Sequence, residues 1–172
     1  MSNLEKRARH WAIRWHGDQV RKYTGEPYWR HPEAVAALVK TVPHTQEMIA
    51  AAYMHDVIED TPCTEAQMRA EFGDAVTDLV MWLTDASKHS DGNRQARKLI
   101  DRAHTAAALP QAKTIKLADL IDNSKSILVR DPEFAVTYLR EKRLLLDEAL
   151  REGDPTLWRI ADEICANAQS RG

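Results

Sequence analysis

His55-Asp56 and, one turn later, Glu59-Asp60 form the densest group of chemically able side chains in the sequence, within the run HDVIEDT. On a helix, residues four apart share a face, which sets His55 beside Glu59 and Asp56 beside Asp60. The run holds one imidazole and three carboxylates with no Lys or Arg to neutralise them. Such a patch wants a cation: two members can ligate a divalent ion, and two remain to act on a water. An adjacent His-Asp pair carries little weight alone, because chance supplies roughly 0.6 such pairs in a chain of this composition. Its weight depends on other ligands converging on it.

Two residues qualify. His31 stands just before Pro32, at the start of a helix whose following apolar residues pack it down. Asp119 lies in KLADLIDN, an amphipathic stretch whose polar face also carries Lys116 and Asn123. Two imidazoles and two carboxylates from three helices make a mixed N/O site suited to Mn²⁺, Fe²⁺ or Zn²⁺, and ligand type alone does not choose among them. Taken singly, His31 is more often a hydrogen-bonded or surface histidine, and Asp119 a solvated helix residue. His10, His16, His44, His89 and His104 have no comparable setting and read as surface or structural.

The elements that must hold these residues are helical throughout, since nothing in the chain alternates like a strand. Leu4, Ala8, Trp11, Ala12 and Trp15 mark a first helix fading near residues 19–22, followed by a loop at 23–27 with Gly25 and Pro27. Pro32 opens a second helix that Pro43 ends, and a third runs from about Thr45 through His55 to about Asp60. Thr64 with Gln67 is a capping box for a fourth helix, which Gly73 closes before Asp74 caps a fifth. Residues 87–93 form an exposed loop. Helices at about 94–108 and 111–130 follow, and Asp131-Pro132 and Asp154-Pro155 open two more. The expectation is an all-α single domain of seven to nine helices spanning 1–172.

At 172 residues the chain can bury a sizeable core. A net charge of −2 argues against a partner held by bulk charge, so no extended nucleic-acid or anionic-membrane binding is expected. No apolar run could span a bilayer, the N-terminus lacks the apolar stretch of a signal peptide, and two isolated cysteines suit reduced thiols. A cytoplasmic protein is expected.

Three blocks in register resemble the HD-domain superfamily, and within it the RelA/SpoT-type hydrolases, particularly the stand-alone small alarmone hydrolases. They are HGDQVRKYTGEPY at 16–28 running on to His31-Pro32, HDVIEDT at 55–61, and KLAD at 116–119 with Asn123. Arg-Lys-x-x-Gly-x-Pro-Tyr before His-Pro is far more specific than His-Asp alone. The resemblance covers about residues 5–130. It implies a compact HD-domain helical bundle in which His31, His55, Asp56 and Asp119 bind a divalent metal, usually Mn²⁺. It further implies that Glu59 and Asp60 work on the nucleophile, and that the substrate is a small nucleotide, (p)ppGpp, cleaved to GDP or GTP plus pyrophosphate. Substrate contacts are implied for Arg21 and Lys22, for Asn123 near the ribose, and for Arg97 and Lys98 at the phosphates, beside Arg94.

Some positions depart from the family's pattern. Asp122 adds negative charge where a basic or polar residue is common, and Trp29 and Arg30 reshape the approach to His31. Residues 131–172 match no block and either complete the core or mediate dimerisation, so a homo-oligomer is among the expectations. Synthetase and regulatory domains do not fit in this length, and synthesis is not expected. Three other functions compete: an HD-type nucleotidase or phosphodiesterase, an antitoxin clearing 3′-pyrophosphate from RNA or adenosine alarmones, and a nucleotide-binding module without turnover. All six expected metal and catalytic residues are present, which weighs against the last.

Overall fold

In a computed structural model, which describes residues 1–169 with side chains through Ala166, the chain clusters into two compact units, Met1–Thr84 and Asp85–Gly172. Nine α-helices and one 3₁₀ turn occur among the described residues, with no strand beyond an isolated bridge between Val20 and Pro27.

The first unit is organised by α3 (Gln46–Met54), against which α1 (Asn3–His16), α2 (Arg30–Val39) and α5 (Glu65–Leu83) pack. Every residue of α3 from Met48 to Met54 is buried, and the run Ala50-Ala51-Ala52 lets neighbours approach from several sides. The buried residues of these neighbours are Ala8 and Ala12, then Val35, Ala36 and Val39, and Met68, Val76 and Val80 among others. The ends carry local caps: Ser2 accepts from the Glu5 N–H, Thr45 from the Met48 N–H, and Thr64 and Gln67 close the expected capping box. Within α5 the expected break survives as a kink at Gly73, whose φ of 77° and ψ of 179° lie in territory open essentially to glycine.

The first helix ends at His16, short of the expected 19–22. The helix expected from Thr45 to Asp60 is not continuous: α3 stops at Met54, His55 and Asp56 form a turn, and the one-turn α4 (Val57–Asp60) follows. Asp56, with ψ of −4°, leaves the helical path there, although the Asp60 N–H still reaches the Asp56 carbonyl at 2.9 Å. The second helix ends at Val39 rather than at Pro43, and Val42 is buried from the following turn.

The second unit comprises α6 (Arg94–Ala107), α7 (Pro110–Arg130), α8 (Pro132–Glu148) and α9 (Pro155–Gln169), after a 3₁₀ turn at His89–Asp91. Helices α7, α8 and α9 pack on one another, and α6 packs on α8. Prolines open α8 and α9 as expected, and Pro110, expected to separate two helices, is itself the first residue of α7; at these positions a missing N–H costs nothing. The buried face of α7 presents Ala112, Ile115, Leu117, Ala118, Leu120 and Ile121. Gly153 lets the chain lie against it: a Cβ there would fall 2.7 Å from Leu117 Cδ1 and 3.2 Å from the Lys113 carbonyl carbon. No helix among the described residues is long and apolar enough to cross a membrane.

Candidate metal centre and its surroundings

The break after Met54 gives the first unit its chemistry. It leaves His55 at the C-terminal end of α3, almost fully buried, with Nδ1 donating to the Ala52 carbonyl at 2.9 Å. The ring's proton is thereby committed to the backbone, which turns the Nε2 lone pair toward Asp56 and is the usual way a ligating histidine is oriented. His31 enters from the first turn of α2, equally buried, its N–H bonded to the Tyr28 carbonyl at 2.9 Å. The two imidazoles meet edge to face with centroids 5.1 Å apart. Asp56 Oδ2 lies 3.0 Å from His55 Nε2 and 3.7 Å from His31 Nε2. Among the described residues this trio is the one group whose donor atoms all lie within 4.8 Å of one another. Two imidazole nitrogens and a carboxylate oxygen suit a borderline or hard divalent cation, so the residues fit the metal that the sequence implies.

Glu59 and Asp60 follow on α4, one turn beyond that trio. Desolvation and the neighbouring Asp56 carboxylate push Asp60 above the usual aspartate range, against a hydrogen bond from Tyr28. Tyr28 is the residue that sequence reasoning passed over. Its hydroxyl donates to Asp56 Oδ2 at 2.7 Å, and its ring stands beside both His16 and His31. His16, read as surface or structural, is 2% exposed and lies in this same shoulder of the site. Both belong to the 16–28 block, so the signal lies in the sequence, although the resemblance assigns that block to nucleotide contact through Arg21 and Lys22.

Arg21 and Lys22 sit on the loop between α1 and α2, a hairpin-like turn closed by Arg21 N–H to Glu26 O at 2.8 Å and Tyr28 N–H to Gln19 O at 2.8 Å. Arg21 is half-buried, and the exposed Lys22 holds its ammonium 5.0 Å from the Tyr23 ring centroid. Trp29 has the guanidinium groups of Arg9 and Arg30 at 5.2 and 5.1 Å from its ring.

Asp119 belongs to the second unit and is buried on α7. Asn123 Nδ2 donates to its Oδ1 at 2.7 Å, and Lys116 Nζ lies 3.4 Å from its Oδ2. Expected neighbours of the phosphates lie on α6, each with an intramolecular partner. Arg94 forks onto Glu141, Arg97 donates to His89 Nδ1 at 2.9 Å, and Lys98 lies 3.2 Å from Asp85 and 3.5 Å from Asp101. Burial would raise the Asp101 pKa, but the N–H and hydroxyl of Ser87, with Lys98, more than offset it and hold the carboxyl below its usual range. Lys142 of α8 went unnoticed in the sequence. Burial, then the charges of Lys116 and Lys98, pull its ammonium down to about 8 against the opposing Asp119 and Asp85.

A family model described as "HD domain" matches residues 8–144, a span that runs through both units. The chain is 36% identical over 155 residues to a guanosine-3′,5′-bis(diphosphate) 3′-pyrophosphohydrolase of Haemophilus influenzae, covering 88% of this chain and 22% of that protein. It is 35% identical over 150 residues to a probable enzyme of the same name from Synechocystis, covering 85% and 19%. The chain thus spans about a fifth of the length of these curated relatives. A solved metazoan ortholog of SpoT, described as hydrolysing ppGpp and acting in starvation responses, superposes with a TM-score of 0.86 at 29% identity, over 100% of this chain and 97% of that one.

Proposed function

The chain belongs to the HD-domain family, and we propose that it is a divalent-metal-dependent 3′-pyrophosphohydrolase acting on the guanosine alarmones (p)ppGpp. The convergence of His31 Nε2, His55 Nε2 and Asp56 Oδ2 carries this reading. Likeness to relatives that bear that activity in their names supports the substrate class. Residues 1–172 are read as one such domain. Asp119 is read as the fourth ligand on the strength of its own sequence block, and Mn²⁺ as the physiological ion. Both cysteines are buried free thiols, which suits a reducing cytoplasm.

A cation held by these residues would supply Lewis acidity and a water activated at neutral pH. The chain's own groups do the rest. His55, fixed through Nδ1, and Asp56, fixed by Tyr28, present donors that need no rearrangement. Glu59 accepts the proton of the attacking water, and Asp60, whose carboxyl is pushed upward, assists by holding or passing a proton. Water oxygen bonds to the phosphorus on the 3′-oxygen, the bond from that phosphorus to the 3′-oxygen breaks, and the 3′-oxygen takes up a proton. The products are pyrophosphate and GDP from ppGpp, or GTP from pppGpp. Arg21 and Lys22 are read as contacts to the base, Asn123 to the ribose, and Arg97 and Lys98 to the phosphates.

The test is a substrate panel of ppGpp, pppGpp, ppApp and deoxynucleoside monophosphates with added Mn²⁺, the products separated chromatographically. Pyrophosphate from the guanosine alarmones is the expected outcome. Orthophosphate from the monophosphates would move the protein to the nucleotidase class.

A further inference from the structure

Asp56 precedes and Asp60 ends the one-turn helix α4, which is too short to hold itself in place. Its last carbonyls have no intrahelical partners. Thr61 Oγ1 serves the Val57 carbonyl, while the Asp60 carbonyl accepts from Gln19 Nε2 at 2.9 Å. That bond orients the Gln19 amide, so its Oε1 is the atom facing His16 Nδ1 at 2.9 Å, and the His16 proton must reside on Nδ1. His16 is the last residue of α1. Gly17, at φ of 50°, turns the chain out, and the Gln19 N–H returns to the His16 carbonyl at 2.9 Å.

The same two residues also hold Tyr28. The Gln19 carbonyl accepts from the Tyr28 N–H at 2.8 Å, and the His16 ring lies against the Tyr28 ring with centroids 4.7 Å apart. Tyr28 in turn donates to Asp56 Oδ2, the oxygen that faces both imidazoles. Buried His16 is thus the point from which one arm runs through Gln19 to Asp60, and another through Tyr28 to Asp56.

We propose that His16, Gln19 and Tyr28 form a brace of positioning residues that fixes the Asp56 carboxylate and the end of α4 in register, so that the ligand half and the proton-handling half of the site keep their spacing. The inference rests on the roles given above to Asp56 and Asp60, and it adds what sets their separation. Each arm has its own signature. Loss of the Tyr28 hydroxyl frees a ligand and acts on metal affinity, the defect particular to this arm, and because that hydroxyl also faces Asp60 it lowers turnover as well. Loss of the Gln19 amide frees the end of α4 and acts on turnover.

Tyr28→Phe and Gln19→Leu test the two arms, since the first keeps the ring and the second alters an exposed side chain. The readouts are Mn²⁺ affinity by calorimetry, backbone hydrogen exchange over residues 55–61 in metal-free protein, and kcat and KM for pyrophosphate release from ppGpp. Tyr28→Phe is expected to weaken Mn²⁺ binding by about 10-fold or more, as losses of a ligand's supporting hydrogen bond do. Gln19→Leu should leave Mn²⁺ affinity and KM near wild type, speed exchange in α4, and lower kcat by about 10- to 100-fold. His16→Asn should show both defects. Wild-type Mn²⁺ affinity in Tyr28→Phe, or wild-type exchange and kcat in Gln19→Leu, overturns the brace. If the unaltered protein releases no pyrophosphate, the reading of function fails, while the affinity and exchange measurements still decide the brace.

Discussion

His55 spends its Nδ1 proton on the Ala52 carbonyl and so has one nitrogen left with which to act, aimed at Asp56. Glu59 stands on the next turn, within α4. The two residues should therefore fail differently. His55→Ala is expected to lose Mn²⁺ binding by calorimetry and all pyrophosphate release. Glu59→Gln should keep the ion and lose turnover by roughly 10²–10⁴-fold, the range for removing a general base. A Glu59→Gln protein that turns over at the wild-type rate would assign the proton to another group. The HDVIEDT run was legible at this scale because its composition is improbable for a solvated helix. His16, Gln19 and Tyr28 were not, because a brace is defined by whom it touches: nothing about a lone His or Gln tells the backbone carbonyl it will meet 41 residues later.

Periodicity and capping found the helices, Gly73 marked the kink in α5, and Pro132 and Pro155 marked the starts of α8 and α9, because those signals are local. The split between α3 and α4 escaped because no Gly or Pro interrupts residues 55–56. The chain departs from the helix there through the backbone angles of Asp56, which propensity does not register. Gly73→Ala carries its cost in the backbone alone, since a Cβ would meet nothing within 4 Å. At φ of 77° and ψ of 179° it should cost about 1–3 kcal/mol, measured by urea unfolding. Lys142 on α8 gives a pH signature. Its ammonium titrates near 8 in the folded protein against 10.5 when free, so between those values the unfolded chain binds the extra proton. The penalty is full below pH 8 and fades as pH rises toward 10.5. Lys142→Met should raise stability at pH 7 by on the order of 1–2 kcal/mol, the side chain's residual solvent contact reducing the figure. That gain should shrink at pH 10, and an equal gain at both values contradicts the assignment.

At the scale of the whole molecule, the first unit brings together His31, His55 and Asp56, with Glu59 and Asp60 beyond them, and the second carries Asp119, Asn123, Arg97 and Lys98. The blocks that carry the family resemblance fall in both, as does the matched HD domain. Chelation should therefore silence the enzyme while leaving its helices folded, because each unit has its own apolar core. Circular dichroism with and without EDTA checks this, and helix loss on chelation would make the metal a folding element. The proposed reaction has water cleaving the 3′ side of a guanosine alarmone under a divalent cation held by His31, His55 and Asp56. Phosphorus NMR of ppGpp incubated with the Mn²⁺-loaded protein decides it. Stoichiometric GDP and pyrophosphate, abolished by EDTA and restored by Mn²⁺, is the predicted result; orthophosphate as the first product, or unaltered ppGpp with the metal bound, contradicts it.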